Sequence, residues 1–422
     1  MKRAYYIVGL IMLTFFVISF LTNIIGPIIP DIIREFHLSL ALVALLPFAF
    51  FIAYGVMSIP AGMLLEKYKE KRVMIAAFAL AFSGALLLAA TPGYTTAVIS
   101  LFLIGCGMAM LQVIINPLLR IAGGEEHYAF NSVLAQLIFG LASFLSPLVY
   151  SYMVSRLEHP EGKNDTLLNF IHAIVPANLP WISLYWFFAL ICLVMIAVIG
   201  ISKFPAVELK DGEQTDPLKT HFVLFKQPLV LLFFSGIFCY VGIEQGVANW
   251  ISQFLAVYHG FNPQTVGAQE VAYFWGWMTA GGVIGLLLLK VMDSRKVLII
   301  FSLLAIISLS IGLFGNKAAS LAAFPLIGFF ASVMYPIIFS LALNSIKLHH
   351  GAFSGILVTG IIGGAIMPLI IGWLGDHFGL RLGLIFLYLP MGYIFLIGFW
   401  ATPIVTNKTI RIARRAASLH QK

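Results

Sequence analysis

The chain has 422 residues, of which 61% are apolar and only 10% are charged, and its formal net charge is +8 at pH 7. A water-soluble protein of this size needs far more polar surface to cover its core, so the composition excludes that class and indicates a membrane protein. The basic excess does not indicate a nucleic-acid partner, because most of it lies in the connections on one side of the predicted membrane.

Long uncharged stretches predict twelve transmembrane helices, since each can cross the hydrocarbon layer at about 1.5 Å per residue. The predicted spans are 4–30, 40–65, 73–91, 95–119, 128–155, 181–202, 228–257, 266–289, 297–316, 318–346, 351–375 and 382–406. The stretch 73–119 counts as two spans, because the turn residues Thr91-Pro92-Gly93-Tyr94 interrupt it. The first stretch lacks the small-residue cleavage site of a secretion signal and is predicted to be a retained helix.

The only long charged connection in the middle of the chain separates six predicted spans on each side. The sequence therefore predicts an all-α membrane protein made of two pseudo-symmetric six-helix bundles. The predicted domains are an N-terminal bundle at 1–202, a cytoplasmic linker at 203–226 and a C-terminal bundle at 227–422 that ends in a basic tail. Duplicated halves with a substrate site between them are a recurring transporter architecture.

The placement of basic residues predicts the orientation of the chain. Most of the 25 Lys and Arg residues lie on the side of the N-terminus, and the exceptions are Arg34, Arg156, Lys163, Lys317 and Arg381. This positive-inside bias predicts that both termini are cytoplasmic. The bilayer is thus an expected partner, and the basic tail is expected to lie against anionic headgroups.

No group of residues has the spacing of a catalytic or metal site. Cys106, Cys192 and Cys239 all lie in apolar stretches, so no disulfide framework is predicted. The charged residues Asp31, Glu35 and Asp376 fall at predicted outer ends of spans and are interpreted as surface residues, as are the loop residues His349 and His350. We therefore expect neither an enzyme nor a resident cofactor.

Glu244 is the one carboxylate that this interpretation places deep within a span. An ionised carboxylate near the midplane costs about 2.5–3.5 kcal/mol on insertion scales, so a functional reason is expected, either cation coupling or sugar binding. The alternative is a neutral acid that is hydrogen-bonded for structure alone. Gln245, Asn249 and Gln253 follow at intervals of four, which places three amides along one helix face.

Amides and aromatic rings together suit a sugar, because amides pair with hydroxyl groups and rings cover the apolar faces of the pyranose. Trp250, Trp275 and Trp277 are near enough in sequence to contribute rings, and Trp275 is the predicted binding residue among them. The first half contributes the buried polar candidates Asn23, Gln112, Asn116 and Gln136. Asn116 has an alternative role, because Pro117 frees a backbone carbonyl that its side chain would satisfy.

Several stretches resemble a known family. Gly62–Arg72 is similar to the inter-helix loop signature of the major facilitator superfamily, with Glu66 at its acidic position and Lys69 where a glycine is usual. Four further stretches resemble the fucose:proton symporter family, which includes bacterial glucose/galactose transporters. They are Leu111–Pro117, Tyr240–Glu244, Tyr335–Leu341 and Ile362–Pro368.

This resemblance implies the major facilitator fold, with Gln112, Gln136 and Glu244 facing a central sugar site and Asn23 and Asn116 nearby. It also implies that Glu66 and Arg72 help to close an inner gate.

Three family positions are altered. The first-span acid falls on Gly26, the amide after the fifth-span glutamine on Phe139, and the eighth-span arginine on Gly282. Gln112 stands where fucose-type members carry glutamate, as it does in glucose/galactose members. Coupling is then expected to run through Glu244, with a proton or with sodium held by Glu244 and nearby oxygen atoms.

The sequence thus predicts a monomeric, secondary active transporter of a monosaccharide or derivative in a bacterial inner membrane, working by alternating access. Two transport alternatives remain open, an uncoupled sugar facilitator and an exporter of amphipathic compounds that would use Phe48, Phe51, Tyr54 and Phe139. A membrane-embedded glycosyltransferase or acyltransferase is the alternative outside transport.

Overall fold

A computed structural model describes residues 5–123, 128–158, 174–176, 178–204, 223–346 and 350–404. These residues are helical apart from short connections. The α-helices are α1 Tyr5–Thr22, α2 Ile25–Phe36, α3 Leu40–Ala90, α4 Tyr94–Gly123, α5 Tyr128–Glu158, α6 Ser183–Ile201, α7 Pro228–His259, α8 Ala268–Leu289, α9 Ser294–Phe314, α10 Lys317–Ala331, α11 Met334–Leu343, α12 His350–Thr359, α13 Gly363–Phe378, α14 Leu380–Ile385 and α15 Tyr388–Trp400. Most of the predicted linker and the basic tail lie outside the described residues.

Within this part of the chain, twelve helical stretches are long and apolar enough to span a membrane, which confirms the predicted number. The helix α9 shows why the bilayer is the solvent. One of its faces is buried through Val297, Phe301 and Ala305, while the opposite face exposes a second apolar row. That exposed row consists of Ile300, Leu303, Ile307, Ile311 and Phe314. A helix that is apolar on both faces is stable against lipid and not against water.

In three spans the α-helical hydrogen-bond ladder is interrupted by a two-residue step, at Asn23-Ile24, Ser332-Val333 and Phe386-Leu387. The backbone stays in the right-handed helical region at Ile24, Ser332, Val333 and Leu387. In every case a proline follows four residues after the first residue of the step, at Pro27, Pro336 and Pro390. A proline has no N–H to donate to the carbonyl four residues earlier, so that hydrogen bond is missing. The missing bond coincides with the division of the first, tenth and twelfth spans into two helices each, although other prolines lie inside helices that continue.

The second and third spans both lie within α3, which is interrupted by a kink at Lys69. This residue has a positive φ of 62° and a ψ of 168°, which are not helical values. This non-helical residue separates the two spans on the side predicted to be cytoplasmic. Several helices begin at side-chain caps, as expected for Ser, Asp and Asn residues. Ser39 caps α3, Asp293 caps α9 and Asn316 caps α10.

The described residues fall into two compact units that do not follow the halves of the sequence. One unit contains the described residues of 1–208, 248–273 and 368–380. The other contains those of 209–247, 274–367 and 381–422. The first unit therefore includes the end of α7, the start of α8 and the end of α13 together with the helices of the first half. The division at 202 and 227 stays a prediction.

Candidate functional site

In the first unit, Asn23 lies at the proline break between α1 and α2 and joins α1 to α5. Its amide nitrogen donates to the hydroxyl of Ser143 at 2.8 Å, and the Ser143 hydroxyl lies 2.7 Å from that of Ser19. Both serine hydroxyls also donate to the carbonyl of Phe139, at 2.6 and 3.0 Å. The described contacts of Asn23 are therefore those of a helix–helix joint.

The other predicted amides of the first half lie on α4 and α5. Gln112 is half-buried on α4, and Gln136 is exposed on α5. Asn116 follows Gln112 by one helical turn, but its side chain lies outside the described residues. These three positions remain predicted binding residues.

In the second unit, Glu244 has a polar and aromatic environment. Gln245 donates to its carboxylate at 3.3 Å, and Tyr240 precedes Glu244 by one helical turn on the same helix face. The ring of Tyr240 packs on that of Tyr335 with centroids 5.5 Å apart, and Tyr335 stacks on Phe339 at 5.7 Å. Glu244 is half-buried, so the protein covers its side chain only in part.

The packing beneath Glu244 depends on glycines of α7 and α13. A Cβ atom at Gly363 would overlap the carbonyl of Phe238, and one at Gly242 would overlap the side chain of Met367. The two helix backbones are therefore in direct contact, an approach that only small residues allow. Three of the stretches that resemble the symporter family thus converge here, namely Tyr240–Glu244, Tyr335–Leu341 and Ile362–Pro368. They build the surroundings of the acid.

The remaining predicted residues of the second half are buried with unused donors. Asn249 is only 3% exposed, and its amide nitrogen has no hydrogen-bond partner among the described residues. The indole N–H of Trp275 is likewise unpartnered there, and its ring lies edge-on to Phe274 at 5.2 Å. A buried donor without a partner is costly in an apolar medium, so these two groups are suited to a ligand or to water.

Two further buried acids correct the sequence analysis. Asp31 was expected at the surface but is only 2% exposed, because α2 continues to Phe36 and encloses it. Its carboxylate accepts from Tyr150, from Arg34 at 2.9 Å and from Gln264 at 3.1 Å. The side chain of Gln264 also donates to Glu158 at 2.9 Å. Asp31 is therefore a satisfied structural acid in the first unit.

Glu270, near the start of α8, was missed altogether. It is 6% exposed, and its Oε2 atom has no hydrogen-bond partner within the described ranges. Glu270 is therefore a second buried acid within a predicted span, although it lies in the first turn of its helix. The position of Glu270 inside the predicted span 266–289 was the signal that could have identified it.

The predicted gate residues are only partly described. Arg72 is exposed just after the Lys69 kink, and the side chain of Glu66 lies outside the described residues. Lys71, which was not predicted to act, donates to the carbonyls of Gly200 and Ser202 at 2.7 and 2.9 Å. A cation at the C-terminal end of α6 stabilises that helix end.

The altered family positions differ in the space that surrounds them. A Cβ atom at Gly26 would overlap the carbonyl of Ala248, whereas one at Gly282 would meet no atom within 4 Å. We expect Gly26→Ala and Gly26→Asp to lower the thermal unfolding midpoint of the purified protein, because both place a side chain against backbone. Gly9→Ala in the neighbouring α1 meets no atom within 4 Å and should leave the midpoint unchanged. Gly282→Arg should also fold. Equal midpoints for Gly26→Ala and Gly9→Ala would contradict this packing.

Taken together, the twelve apolar spans and the isolated polar groups buried within them define a polytopic membrane transporter. The described residues contain no group of three or more His, Cys, Asp or Glu residues that could hold a metal ion. Residues 11–360 match the Major Facilitator Superfamily, and the chain belongs to this family.

Relatives of the chain are bacterial sugar transporters. It is 31% identical over 387 residues to the glucose/galactose transporter of Brucella abortus biovar 1 (strain 9-941), which covers 90% of both chains. It is 26% identical over 385 residues to the L-fucose-proton symporter of Escherichia coli (strain K12), with 86% of each chain covered. These similarities confirm the resemblance inferred from the sequence.

Solved structures confirm the fold. The crystal structure of the Escherichia coli fucose:proton symporter matches with a TM-score of 0.66 at 24% identity and covers 95% of this chain and 100% of that one. A bacterial homolog of the human lysosomal transporter Spinster matches with a TM-score of 0.77 at 13% identity, covering 95% and 98%. The protein is a transporter and not an enzyme, so the glycosyltransferase or acyltransferase alternative is wrong.

Proposed function

We propose that this protein is a secondary active transporter that couples the movement of a monosaccharide to that of a cation by alternating access. The observation that carries the proposal is the environment of Glu244. Its carboxylate accepts from Gln245, and Tyr240, one helical turn earlier, packs on Tyr335 in a site built from three family-like stretches. A carboxylate maintained inside an apolar span is a functional feature by default.

The chemistry of the other predicted binding residues supports a sugar as the substrate. Amides provide paired donors and acceptors for vicinal hydroxyl groups, and Asn249 has an amide nitrogen that no described residue uses. Trp275 and Tyr335 provide rings that suit the apolar face of a pyranose. The proposed binding residues are Asn23, Gln112, Asn116, Gln136, Glu244, Gln245, Asn249 and Trp275. The chain is 31% identical to the relative named as a glucose/galactose transporter and 26% identical to the one named as an L-fucose-proton symporter, which favours glucose or galactose over fucose.

Glu244 is the proposed coupling residue. As a single carboxylate with hydroxyl and amide neighbours, it suits either a proton that it takes up directly or a sodium ion that needs oxygen ligands. The fucose relative is named as a proton symporter, which favours the proton.

The proposed setting of the protein is a bacterial inner membrane, with a monomer whose termini are both cytoplasmic. The positive-inside distribution of Lys and Arg supports this orientation. The relatives come from bacteria, which supports a location in a bacterial inner membrane.

Uptake into proteoliposomes tests the proposal. We expect labelled glucose or galactose to accumulate when a proton or a sodium gradient is imposed. A potential of 100 mV moving one charge provides about 2.3 kcal/mol, which limits accumulation to about 50-fold. An ionophore that collapses the gradient should return the sugar to equilibrium. Uptake that never exceeds equilibrium would favour the uncoupled facilitator, and competition by amphipathic drugs but not by sugars would favour the exporter.

A further inference from the structure

The segment Gly372–Arg381 repeats the sequence pattern of the loop signature at Gly62–Arg72. Each segment begins with a glycine, which is followed two positions later by leucine and four positions later by an acidic residue. A lysine or histidine and then an aromatic residue come directly after the acid, and a further basic residue lies three positions after the aromatic one. The matching residues are Gly62 and Gly372, Leu64 and Leu374, Glu66 and Asp376, Lys67 and His377, Tyr68 and Phe378, Lys69 and Gly379, and Lys71 and Arg381. The second segment connects the last two spans, so it lies at the opposite end of the spans from the first.

The chain also turns at equivalent positions of the two segments. Lys69 has φ of 62° and Gly379 has φ of 85°. Positive φ is common where a helix ends, and it occurs after two other helices at His37 and Gly260, so it marks a turn in both segments. The correspondence itself rests on the sequence pattern.

In the first unit, Asp376 reaches a helix that is more than 300 residues distant in the sequence. Its two carboxylate oxygens accept from the main-chain N–H groups of Leu40 and Ala41, at 2.7 and 2.9 Å. Ser39 accepts from the N–H of Leu42, at 3.3 Å. These N–H groups have no partner within the helix, and a negative charge is stabilising beside them. The carboxylate of α13 thus completes the N-terminal cap of α3.

The glycines of the second segment make this contact possible. A Cβ atom at Gly372 would lie 2.5 Å from the carbonyl oxygen of Leu40 and 3.0 Å from Cβ of Ala44. One at Gly375 would lie 2.7 Å from Cδ1 of Leu40. The end of α13 therefore packs directly on the first turn of α3.

We propose that Gly372–Arg381 is a second copy of the loop signature and that Asp376 acts as a latch between α13 and α3. Opening of the pathway at this end requires the two helix ends to separate, and the carboxylate then leaves the N–H groups of Leu40 and Ala41. Asp376 is thus a positioning residue that sets the balance between the conformations of the transport cycle. This role rests on the proposed alternating-access function.

A distance measurement on the full-length protein tests the latch. Spin labels at Leu42→Cys and Phe378→Cys, two exposed side chains that take no part in the cap, report the separation of α3 and α13 by electron paramagnetic resonance in nanodiscs. The three native cysteines are replaced by alanine in this variant. We expect Asp376→Asn to increase the ratio of the long-distance to the short-distance population by about fivefold, as expected for the loss of one helix-terminal charge. Asp376→Glu retains the carboxylate and should restore the distribution.

Asp293→Asn is the matched control, because Asp293 caps the start of its own helix and its carboxylate accepts from the nearby Arg295 N–H at 2.9 Å. It should leave the distance distribution unchanged. A distribution for Asp376→Asn that equals that of Asp293→Asn would overturn the latch. The measurement needs neither sugar nor gradient, so its failure is distinguishable from failure of the proposed transport function. A thermal midpoint that falls without a change in distance would indicate a purely structural cap and would also overturn the proposal.

Discussion

Replacement of Glu244 by glutamine is expected to abolish gradient-driven accumulation of sugar, reducing a ratio of up to about 50-fold to equilibrium. Glutamine preserves the size of the side chain and its hydrogen bond with Gln245, but it neither takes up a proton nor provides a charge for sodium. Sugar exchange across the membrane at equal concentrations needs no net cation movement. We therefore expect counterflow exchange to persist in Glu244→Gln while accumulation is lost.

The comparison variant is Glu270→Gln, which removes a second buried acid, at the start of α8. It should retain accumulation if Glu244 alone carries coupling. The two variants are compared in proteoliposomes of equal protein content, with accumulation and counterflow measured on the same preparation. Full accumulation by Glu244→Gln would exclude Glu244 as the coupling residue, and loss in Glu270→Gln alone would assign coupling to Glu270, whose Oε2 atom has no described partner.

Gly363→Ala is expected to be among the most damaging single-methyl changes in the chain. The added Cβ atom would overlap the backbone carbonyl of Phe238, which cannot rotate away as a flexible side chain would. Overpacking of this kind costs about 1–3 kcal/mol, and relief requires α7 and α13 to move apart. Because these helices support Glu244, transport should fall together with the free energy of unfolding.

Gly282→Ala is the control, since it makes the same chemical change at a helical glycine with no neighbouring atom within 4 Å. Unfolding of both purified variants by titration with sodium dodecyl sulfate, followed by circular dichroism, measures the difference. Gly363→Ala should unfold at a clearly lower denaturant fraction than wild type, and Gly282→Ala should match wild type. Equal stability of the two variants would show that α7 and α13 are not in the close contact described.

The spans could be predicted from the sequence because hydrophobic length is a local property. All twelve were found, but several boundaries differ by a few residues, and a charged residue caused one of these errors. The first span was ended at Pro30, whereas α2 continues to Phe36 and buries Asp31, which pairs with Arg34 and accepts hydrogen bonds from the distant Tyr150 and Gln264. Partners that lie more than 100 residues away along the chain are not visible in a local pattern. For this reason a buried acid was interpreted as a surface residue.

The candidate site was predictable as a set of residue types but not as an arrangement. The family-like stretches pointed to Glu244, yet only the fold shows that Tyr335 and Gly363 come from two of those stretches to surround and support it. The sequence also gave no indication that Asn23 joins α1 to α5, since Ser19 and Ser143 are unremarkable hydroxyl residues in apolar spans. Such roles depend on which helices are neighbours.

The proline-broken spans bear on how the helices bend. The backbone carbonyls of Asn23, Ser332 and Phe386 accept no α-helical hydrogen bond, because the residue four positions later is a proline without an N–H. Bending of the helix at these residues therefore breaks no such hydrogen bond. At Phe386 a tighter bond from the N–H of Leu389, at 3.1 Å, takes its place. Bending stiffness is therefore uneven along the first, tenth and twelfth spans. Each has a compliant point fixed by its proline, between segments that resist flexing.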